Sequence, residues 1–320
     1  MGVLFPMKIL ITDKMAEEAI QAFKDAGHEI TYDEMDADTL LKEIEKYDAL
    51  MVRSRTKVTT DVIKAGANGN LKVIGRAGIG VDNIDIQKAK EFGIKVVNSP
   101  TGATASVAEL AMGHILDLSR NISRADKKMK QGEWAKKQLK GTELGGKILG
   151  LIGTGNIGKY TANLAQCFGM KVIGYDPFIS REDMEKDDIE KIDKIEDLME
   201  KSDYISMHIP HNSKTHHIIN ESLISKMKKN AYLINCARGG TLDENALYNA
   251  LEKGEIAGAA LDVYESEPPK ESPLFKLDNV ILTPHLGAST KEGQIKAGTV
   301  CSEQIMKVLK GETPDHWVNK

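Results

Sequence analysis

The stretch that decides the fold, Lys147–Asp176, reads KILGLIGTGNIGKYTANLAQCFGMKVIGYD. An apolar, strand-like run, Ile148–Ile152, leads directly into the glycine turn Gly153–Gly158. A segment compatible with a helix follows, and a second strand-like run, Lys171–Tyr175, leads to the final aspartate. A glycine turn placed between a strand and a helix in this way is typical of a dinucleotide-binding unit.

The residues of this turn have distinct expected roles. Gly153 permits the tight turn, Gly155 lets the backbone approach a pyrophosphate, and Gly158 lets the helix pack closely on the strand. Asp176 stands where a carboxylate accepts hydrogen bonds from ribose hydroxyls and repels a 2′-phosphate, and Pro177 rather than an arginine follows it. The stretch therefore predicts binding of NAD rather than NADP. The alternative is a glycine-rich turn that serves only helix–sheet packing.

The rest of the chain alternates strand-like and helix-like runs, which is typical of parallel α/β folds. Two long segments, Ala105–Lys130 and Thr290–Leu309, each read as one helix without a strand signal. The simplest arrangement returns the second of these helices to the first domain. We therefore predict an α/β fold with two doubly wound parallel-sheet domains. A Rossmann-type cofactor domain, residues 102–288, is inserted in a flavodoxin-like substrate domain, residues 1–101 and 289–320.

Composition and charge exclude several classes of function. The formal net charge is −4 and no basic block occurs, so nucleic acid is not an expected partner. No apolar run approaches the ~20 residues that span a bilayer, so no membrane association is expected, and the first residues do not read as a secretory signal. The three cysteines, Cys167, Cys236 and Cys301, are an odd and scattered set. That pattern favours reduced thiols and predicts a cytoplasmic protein.

Three groups suited to hydride transfer follow predicted strands, where ligands bind in open α/β sheets. Arg238 precedes two glycines, and its planar guanidinium matches a carboxylate. His285 follows another strand, and histidine suits proton transfer near neutrality. Asp262, Glu265 and Glu267 supply carboxylates after a third strand, one of which can orient the histidine. The alternatives are a surface arginine, a core histidine and a solvated acidic loop.

Four histidines cluster after another predicted strand: His208, His211, His216 and His217. They lack cysteine partners and the i, i+4 helical pairing of common metal motifs. We interpret them as loop histidines, one or two of them near a ligand, and predict no metal site.

The chain resembles the D-isomer-specific 2-hydroxy acid dehydrogenases, and within them the D-3-phosphoglycerate dehydrogenases. The resemblance covers nearly the whole chain and rests on five motifs: Gly75–Asp85, Gly153–Gly158, Asn235–Gly240, Gly258–Pro268 and Pro284–Thr290. It is a resemblance to the short form without regulatory domains, so feedback inhibition through such a domain is not expected.

The resemblance implies roles for the candidate groups. Arg238 is similar to the arginine that anchors the substrate carboxylate, and His285 to the general acid/base. In the family the catalytic glutamate stands five positions after the aspartate of the ALDV motif, which selects Glu267 over Glu265. That aspartate, Asp262, is expected to hold the nicotinamide carboxamide. The implied cofactor contacts are Gly153, Gly155, Asn156, Ile157, Gly158, Asp176, Ile209, Cys236, Ala237, Asp262, His285 and Gly287.

The phosphate end of the substrate is assigned more loosely, to the first domain. Arg53 and Ser54 end a predicted strand, and Arg76 stands in a glycine-rich turn. Two or more guanidinium groups suit a phosphorylated hydroxy acid better than lactate or glycolate. The alternative is solvated arginines at strand ends, which applies most to Arg55. Ala103 departs from the family pattern, since many members carry asparagine there.

These features predict NAD-dependent oxidation of D-3-phosphoglycerate to 3-phosphohydroxypyruvate, the first step of phosphorylated serine biosynthesis. The alternative is reduction of glyoxylate or hydroxypyruvate, or oxidation of another D-2-hydroxy acid. A non-catalytic NAD-sensing module, as in corepressors that share the fold, is an alternative of a different class. The family also implies a homodimer in which the long helix after residue 104 packs. Lys136, in the loop after that helix, is a candidate to reach the partner subunit's site.

Overall fold

The structure is a computed structural model that describes residues 6–320. It divides into two compact units. Unit 1 comprises the described residues up to Ala103 together with Ala288–Lys320, and unit 2 comprises Thr104–Gly287. Within the described residues, no helix combines the length and the apolar character needed to cross a membrane.

The first part of unit 1 alternates strands and helices. The strands are β1 (Lys8–Ile11), β2 (Glu29–Tyr32), β3 (Ala49–Val52), β4 (Val73–Arg76) and β5 (Lys95–Asn98). The α-helices are α1 (Glu17–Asp25), α2 (Ala37–Glu43), α3 (Thr60–Asn68) and α4 (Ile86–Glu91). All neighbouring strands pair in parallel in the order β2-β1-β3-β4-β5. This is the flavodoxin-like doubly wound order.

Unit 2 repeats the plan with a larger parallel sheet. Its helices are α5 (Thr104–Arg120), α6 (Ile122–Lys130), α7 (Asn156–Cys167), α8 (Arg181–Glu185), α9 (Ile195–Lys201), α10 (Glu221–Ile224) and α11 (Glu244–Glu252). Its strands are β6 (Ile148–Ile152), β7 (Lys171–Tyr175), β8 (Glu190–Lys191), β9 (Tyr204–Met207), β10 (Tyr232–Asn235), β11 (Gly258–Leu261) and β12 (Val280–Leu282). Their order is β12-β11-β10-β9-β6-β7-β8. The first six strands in chain order follow the Rossmann arrangement 3-2-1-4-5-6, and β12 adds a seventh.

The chain ends in unit 1 with α12 (Lys291–Leu309). Alternate residues of the unit 1 strands enter two separate core clusters, because successive side chains of a strand point to opposite faces. Ile9 and Met51 pack in one cluster with residues of α1 and α12, whereas Leu10 and Leu50 pack in the other with residues of α2 and α3. Both faces of this sheet are therefore covered by helices. The predicted fold class, two doubly wound parallel-sheet domains, is confirmed.

The prediction of one long helix over Ala105–Lys130 is wrong in one respect. The helix is interrupted at Asn121, which adopts a left-handed conformation with φ of 54° between α5 and α6. Asparagine tolerates this conformation better than most residues, so the chain changes direction there without glycine. Helical periodicity on either side of a single asparagine gives no signal of the break.

Close packing of α12 on the segment before α5 generates a stability prediction. A Cβ atom at Gly102 would lie 2.6 Å from the Ala297 Cα of α12. Gly102→Ala is expected to lower the free energy of unfolding by about 1–3 kcal/mol, because backbone must move to relieve the overlap. Gly113→Ala is the matched control: it lies in α5 with no described atom within 4 Å of a new Cβ, and alanine there should stabilise the helix by up to about 1 kcal/mol. Urea denaturation of both variants measures the difference, and a neutral Gly102→Ala would contradict the packing argument.

Candidate active site and cofactor site

The glycine turn lies at the end of β6 and leads into α7. Gly153 adopts a left-handed conformation with φ of 92°, and a Cβ atom there would lie 2.5 Å from the His208 carbonyl oxygen. A Cβ at Gly158 would lie 2.3 Å from the Gly153 carbonyl oxygen. A Cβ at Gly155 would meet no atom of the described residues within 4 Å. Gly153 and Gly158 therefore allow close backbone packing, whereas Gly155 borders open space before α7.

Two buried polar atoms near this turn have no hydrogen-bond partner among the described residues: Thr154 Oγ1 and His208 Nδ1. Burial lowers the pKa of His208 to about 4, so its imidazole is neutral near pH 7. Asn156 and Ile157 form the start of α7, where backbone N–H groups and the helix dipole favour a phosphate. Unpartnered polar atoms, open space and a helix start together fit the pyrophosphate of a dinucleotide.

Asp176 and Ile209 border the turn. The Asp176 carboxylate accepts the Thr154 N–H at 3.0 Å through Oδ2 and the Phe178 N–H at 2.9 Å through Oδ1. These bonds fix the carboxylate and leave further acceptor positions, since a carboxylate offers about four. Ile209 follows β9, and its Cγ2 lies 2.9 Å from the position of a Gly153 Cβ. The arrangement can accept hydrogen bonds from ribose hydroxyls, and its negative charge opposes a 2′-phosphate.

The turn after β10 carries Ala237 and Arg238. Asn235 shapes it, because its Oδ1 accepts the Ala237 N–H at 3.0 Å and its Nδ2 donates to the Arg238 carbonyl at 3.1 Å. A Cβ at Gly239 would lie 1.7 Å from the Tyr264 carbonyl oxygen, so this turn packs directly on the loop after β11. Gly239, the first glycine after the arginine, therefore serves close backbone packing.

Cys236, in the same turn, is 5% exposed. Burial raises the pKa of its thiol well above the normal range, and the nearby charge of Asp262 adds to the effect. A protonated, buried thiol is a small apolar wall rather than a nucleophile.

His285 and Glu267 form a close pair, with 2.7 Å between His285 Nδ1 and Glu267 Oε2. The other carboxylate oxygen, Oε1, accepts the Tyr264 N–H at 3.1 Å. Burial opposes ionisation of Glu267, but the hydrogen bond and charge of His285, the Tyr264 N–H and the charge of Arg238 outweigh it. They hold the pKa of Glu267 below its normal value. Since an ionised carboxylate only accepts, Nδ1 carries a proton and Nε2 is left for proton transfer.

The structure therefore brings the three predicted catalytic residues together within unit 2. Arg238, Glu267 and His285 follow the neighbouring strands β10, β11 and β12. Together they offer a cation for a carboxylate and an imidazole backed by a carboxylate.

Asp262 is fully buried and anchors the segment that carries His285. Its carboxylate accepts the Thr283 hydroxyl at 2.6 Å and the N–H groups of Leu286 and Gly287 at 2.7 and 2.8 Å. The N–H of His285 donates to the Asp262 carbonyl at 2.9 Å, and His285 itself lies at φ of 53°. Three of about four acceptor positions of the carboxylate are used within the protein. The expected contact with the nicotinamide carboxamide therefore has about one position left.

Two residues that the sequence did not single out support this anchor: His114 and Tyr264. His114 Nε2 lies 3.3 Å from Thr283 Oγ1, and because that hydroxyl donates to Asp262, the imidazole must donate to it. Burial lowers the pKa of His114 against the opposing charges of Asp262 and Asp117, so the ring is neutral. The Tyr264 hydroxyl donates to the Thr283 carbonyl at 2.9 Å, and burial with nearby carboxylates raises the pKa of Tyr264 to about 12. The only feature of the sequence that could have pointed to this support is His114, a histidine within an apolar helix.

The predicted phosphate ligands lie in unit 1. Arg53 and Ser54 follow β3, with Arg53 Nη1 donating to the Lys14 carbonyl at 3.3 Å and Ser54 exposed. Arg55 Nε pairs with Asp13 Oδ1 at 3.1 Å, so this arginine has a structural role at the strand ends. These contacts favour the alternative for Arg55, an arginine at a strand end that is not a phosphate ligand.

Arg76 ends β4 and lies over Gly78, where a Cβ atom would be 1.6 Å from Arg76 Nη1. Gly78 has φ of 156°, a backbone conformation that glycine adopts readily and other residues rarely do. Ala103 is 2% exposed, so its methyl group is buried. Lys136 is exposed in the loop after α6.

The anchor predicts an effect of losing one hydroxyl group. Thr283→Val removes the donor to Asp262 at nearly constant volume and is expected to lower the free energy of unfolding by about 1–3 kcal/mol, the cost of an unsatisfied buried polar group. Thr299→Val is the control, because the Thr299 hydroxyl bonds to carbonyl groups of its own helix; it should cost less than about 0.5 kcal/mol. Equal effects of the two changes in urea denaturation would count against the anchor.

Asp176 yields a prediction of cofactor preference. Asp176→Asn keeps an oxygen for the Thr154 N–H but removes the charge that opposes a 2′-phosphate. The ratio of the NADPH and NADH dissociation constants should fall by about tenfold, equivalent to ~1.4 kcal/mol. Fluorescence titration measures both constants, with Asp278→Asn, whose side chain is 81% exposed, as control. An unchanged ratio in Asp176→Asn would contradict this role.

Comparison with known proteins places these features in a family. A family model described as "D-isomer specific 2-hydroxyacid dehydrogenase, NAD binding domain" matches residues 112–287. The D-3-phosphoglycerate dehydrogenase of Methanocaldococcus jannaschii is 51% identical over 98% of this chain, which spans 59% of that relative's length. The hydroxypyruvate reductase of Thermotoga maritima is 49% identical over 94% of this chain and 98% of its own.

Comparison with solved structures supports the same family. A glyoxylate reductase from Paecilomyes thermophila superimposes with a TM-score of 0.88 at 27% sequence identity, covering 98% of each chain. Its agreement extends over both parallel-sheet units. The chain belongs to the D-isomer-specific 2-hydroxyacid dehydrogenases and carries the NAD-binding domain of that family.

Proposed function

We propose that the chain is an NAD-dependent dehydrogenase that oxidises D-3-phosphoglycerate to 3-phosphohydroxypyruvate, the first step of phosphorylated serine biosynthesis. The observation that carries the proposal is the His285–Glu267 pair, 2.7 Å apart, with the charge of Arg238 acting on the same carboxylate. The 51% identity to the M. jannaschii D-3-phosphoglycerate dehydrogenase supports the choice of substrate.

In this proposal Arg238 pairs with the substrate carboxylate and polarises the oxygen on C2. His285 Nε2 takes the proton of the C2 hydroxyl as the C2–H bond gives up a hydride, and the C2–O bond becomes a carbonyl. Glu267 stays ionised and balances the imidazolium charge. In the reverse direction the imidazolium returns its proton to the ketone oxygen. Bound NAD supplies the hydride acceptor.

The residues that would hold NAD are those around the glycine turn and the neighbouring strand ends. Gly155 leaves room for the pyrophosphate, and Asp176 accepts the ribose hydroxyls. Cys236 and Ala237 line the nicotinamide half with Gly287. The full proposed set is Gly153, Gly155, Asn156, Ile157, Gly158, Asp176, Ile209, Cys236, Ala237, Asp262 and Gly287.

Arg53, Ser54 and Arg76 remain the proposed ligands of the substrate phosphate. Guanidinium groups suit a phosphate because their paired N–H donors match two of its oxygens. Reduction of hydroxypyruvate or glyoxylate is a second candidate activity. It is favoured by the T. maritima hydroxypyruvate reductase, of which the chain covers 98%, and by the buried methyl of Ala103.

We also propose a homodimer. Three large apolar side chains on α6 and the loop after it are strongly exposed: Ile122 at 56%, Met129 at 53% and Trp134 at 79%. A second copy of the chain would remove this apolar surface from water. Lys136, close to Trp134 along the chain, is then a candidate to reach the partner's site.

The proposal assigns the enzyme to the cytoplasm. Cys167, Cys236 and Cys301 are all free thiols, and the last two are buried. Free thiols are the usual state of cysteine in a reducing compartment.

A substrate panel tests the proposed function. We expect the highest kcat/KM for D-3-phosphoglycerate with NAD, and for 3-phosphohydroxypyruvate with NADH, because the phosphate adds binding energy that D-glycerate and hydroxypyruvate lack. Faster turnover of hydroxypyruvate or glyoxylate than of the phosphorylated ketone would favour the second candidate. NAD binding without turnover of any member would favour an NAD-sensing module.

His285→Asn is the control for the chemistry in these assays. Asparagine tolerates the left-handed backbone of His285 but cannot take up a proton at neutral pH. It should lower kcat by ~10²–10⁴, the usual size of general acid/base help, and leave the NADH dissociation constant nearly unchanged. Near-normal turnover in this variant would remove His285 from the mechanism.

A further inference from the structure

Three chelating side chains from separate segments of unit 2 converge outside the catalytic trio. His217 lies after β9, Asp243 caps α11, and Glu265 follows β11. Each offers a ligand atom, and these atoms lie within 4.8 Å of one another, the one such group of histidine, cysteine or acidic residues among those described. We propose that His217, Asp243 and Glu265 form a binding site for a divalent transition-metal ion of the Zn²⁺ type.

The histidine is held in position by its backbone and by a neighbouring ring. His217 has φ of 47°, and its N–H donates to the Gly240 carbonyl at 2.8 Å. Its imidazole stacks on that of His216 with 4.0 Å between ring centroids, and His216 Nδ1 lies 3.1 Å from His211 Nε2. A ring fixed in this way loses little freedom on binding a metal, which raises its value as a ligand.

The two carboxylates are also oriented by the backbone. Asp243 Oδ1 accepts the N–H groups of Asn245 and Ala246 at 3.0 Å each, which leaves Oδ2 as a ligand. The Glu265 carboxylate accepts the Glu244 N–H through Oε1 at 3.3 Å, and the Glu265 N–H donates to Glu244 Oε1 at 2.6 Å, so Glu265 is tied to the start of α11. Both carboxylates are therefore placed without using all of their acceptor positions.

The local charge favours a cation. Two of the three proposed ligands are carboxylates, and a third carboxylate, that of Glu244, accepts the Glu265 N–H through Oε1 at 2.6 Å. Carboxylates this close together repel one another when they are ionised. A divalent ion would offset this repulsion.

The distances suit closure around an ion. His217 Nε2 lies 2.9 Å from Glu265 Oε1, within hydrogen-bond distance. Zinc bonds of about 2.0–2.2 Å in tetrahedral geometry place ligand atoms roughly 3.3–3.6 Å apart. Because no two of the ligand atoms are more than 4.8 Å apart, any pair has to close by at most about 1.3 Å to reach this spacing. Side chains that are about one-third exposed, as those of His217 and Glu265 are, can achieve this. Three protein ligands leave the fourth position for water.

The test is Zn²⁺ titration of the full chain by calorimetry, after removal of metal with a chelator. All proteins carry Cys167→Ser, because Cys167 is an exposed thiol. The ligand variants keep the local backbone: His217→Asn suits a positive φ, Asp243→Asn remains a good helix cap, and Glu265→Gln keeps the side-chain length.

His285→Asn is the matched control, since His285 is also a histidine of positive φ paired with a glutamate. One Zn²⁺ should bind per chain. Each ligand variant should weaken binding by at least about 10–100-fold, because that loss is already seen when a residue that only hydrogen-bonds a metal ligand is removed. His285→Asn should bind as the parent does, and circular dichroism should show all variants folded.

Stoichiometric binding that survives in His217→Asn and Glu265→Gln, or binding lost in His285→Asn instead, would overturn the site. Failure of the parent to bind Zn²⁺ would overturn it as well. None of these outcomes depends on turnover, so the test is independent of the proposed dehydrogenase function.

Discussion

The buried carboxylate of Asp262 is the constraint on which the candidate active site depends. A buried carboxylate needs hydrogen-bond donors, because a buried polar group without a partner costs about 2–7 kcal/mol. Asp262 meets this requirement with three donors from the segment 283–287, at 2.6–2.8 Å. The segment cannot move away without leaving the charge unsatisfied, so His285 is held in a left-handed conformation that it would rarely adopt alone. Precise placement of the imidazole is thus a consequence of the electrostatics of its neighbour.

Parallel pairing explains why residues so far apart in sequence meet. In a parallel sheet every carboxyl end lies at the same edge, and the strand order β11-β10-β9-β6-β7 sets the order of the groups along it. Asp262 follows β11 and Asp176 follows β7, four strand spacings away, or ~19 Å at about 4.8 Å per strand. The glycine turn lies between them, where the strand order reverses. One edge of unit 2 therefore offers separate places for the two halves of an extended dinucleotide.

Sequence reasoning predicted the features that depend on local pattern. The glycine turn, the alternation of strands and helices and the order of motifs are all contiguous in the chain, and the predicted fold class is confirmed. The features that it missed depend on a single residue or on contacts between residues far apart in the chain. The break at Asn121 is a single residue within helical periodicity. The pairing of Arg55 with Asp13 joins two strand ends 42 residues apart. The support of Thr283 by His114 spans 169 residues, and no spacing rule links them. Family resemblance supplied Glu267, because the residues alone did not distinguish it from Glu265.

Those two glutamates show how one loop can serve two kinds of chemistry. Each pairs with a histidine of positive φ, Glu267 with His285 at 2.7 Å and Glu265 with His217 at 2.9 Å. Glu267 also receives the Tyr264 N–H and the charge of Arg238, so its negative charge is already compensated and its pKa is held low. That pair is suited to moving a proton. Glu265 instead lies close to Asp243, so its histidine is bordered by two carboxylates. The same pairing of side chains therefore differs in its third partner, a guanidinium beside Glu267 and a carboxylate beside Glu265, and this difference is the basis of the two proposed roles.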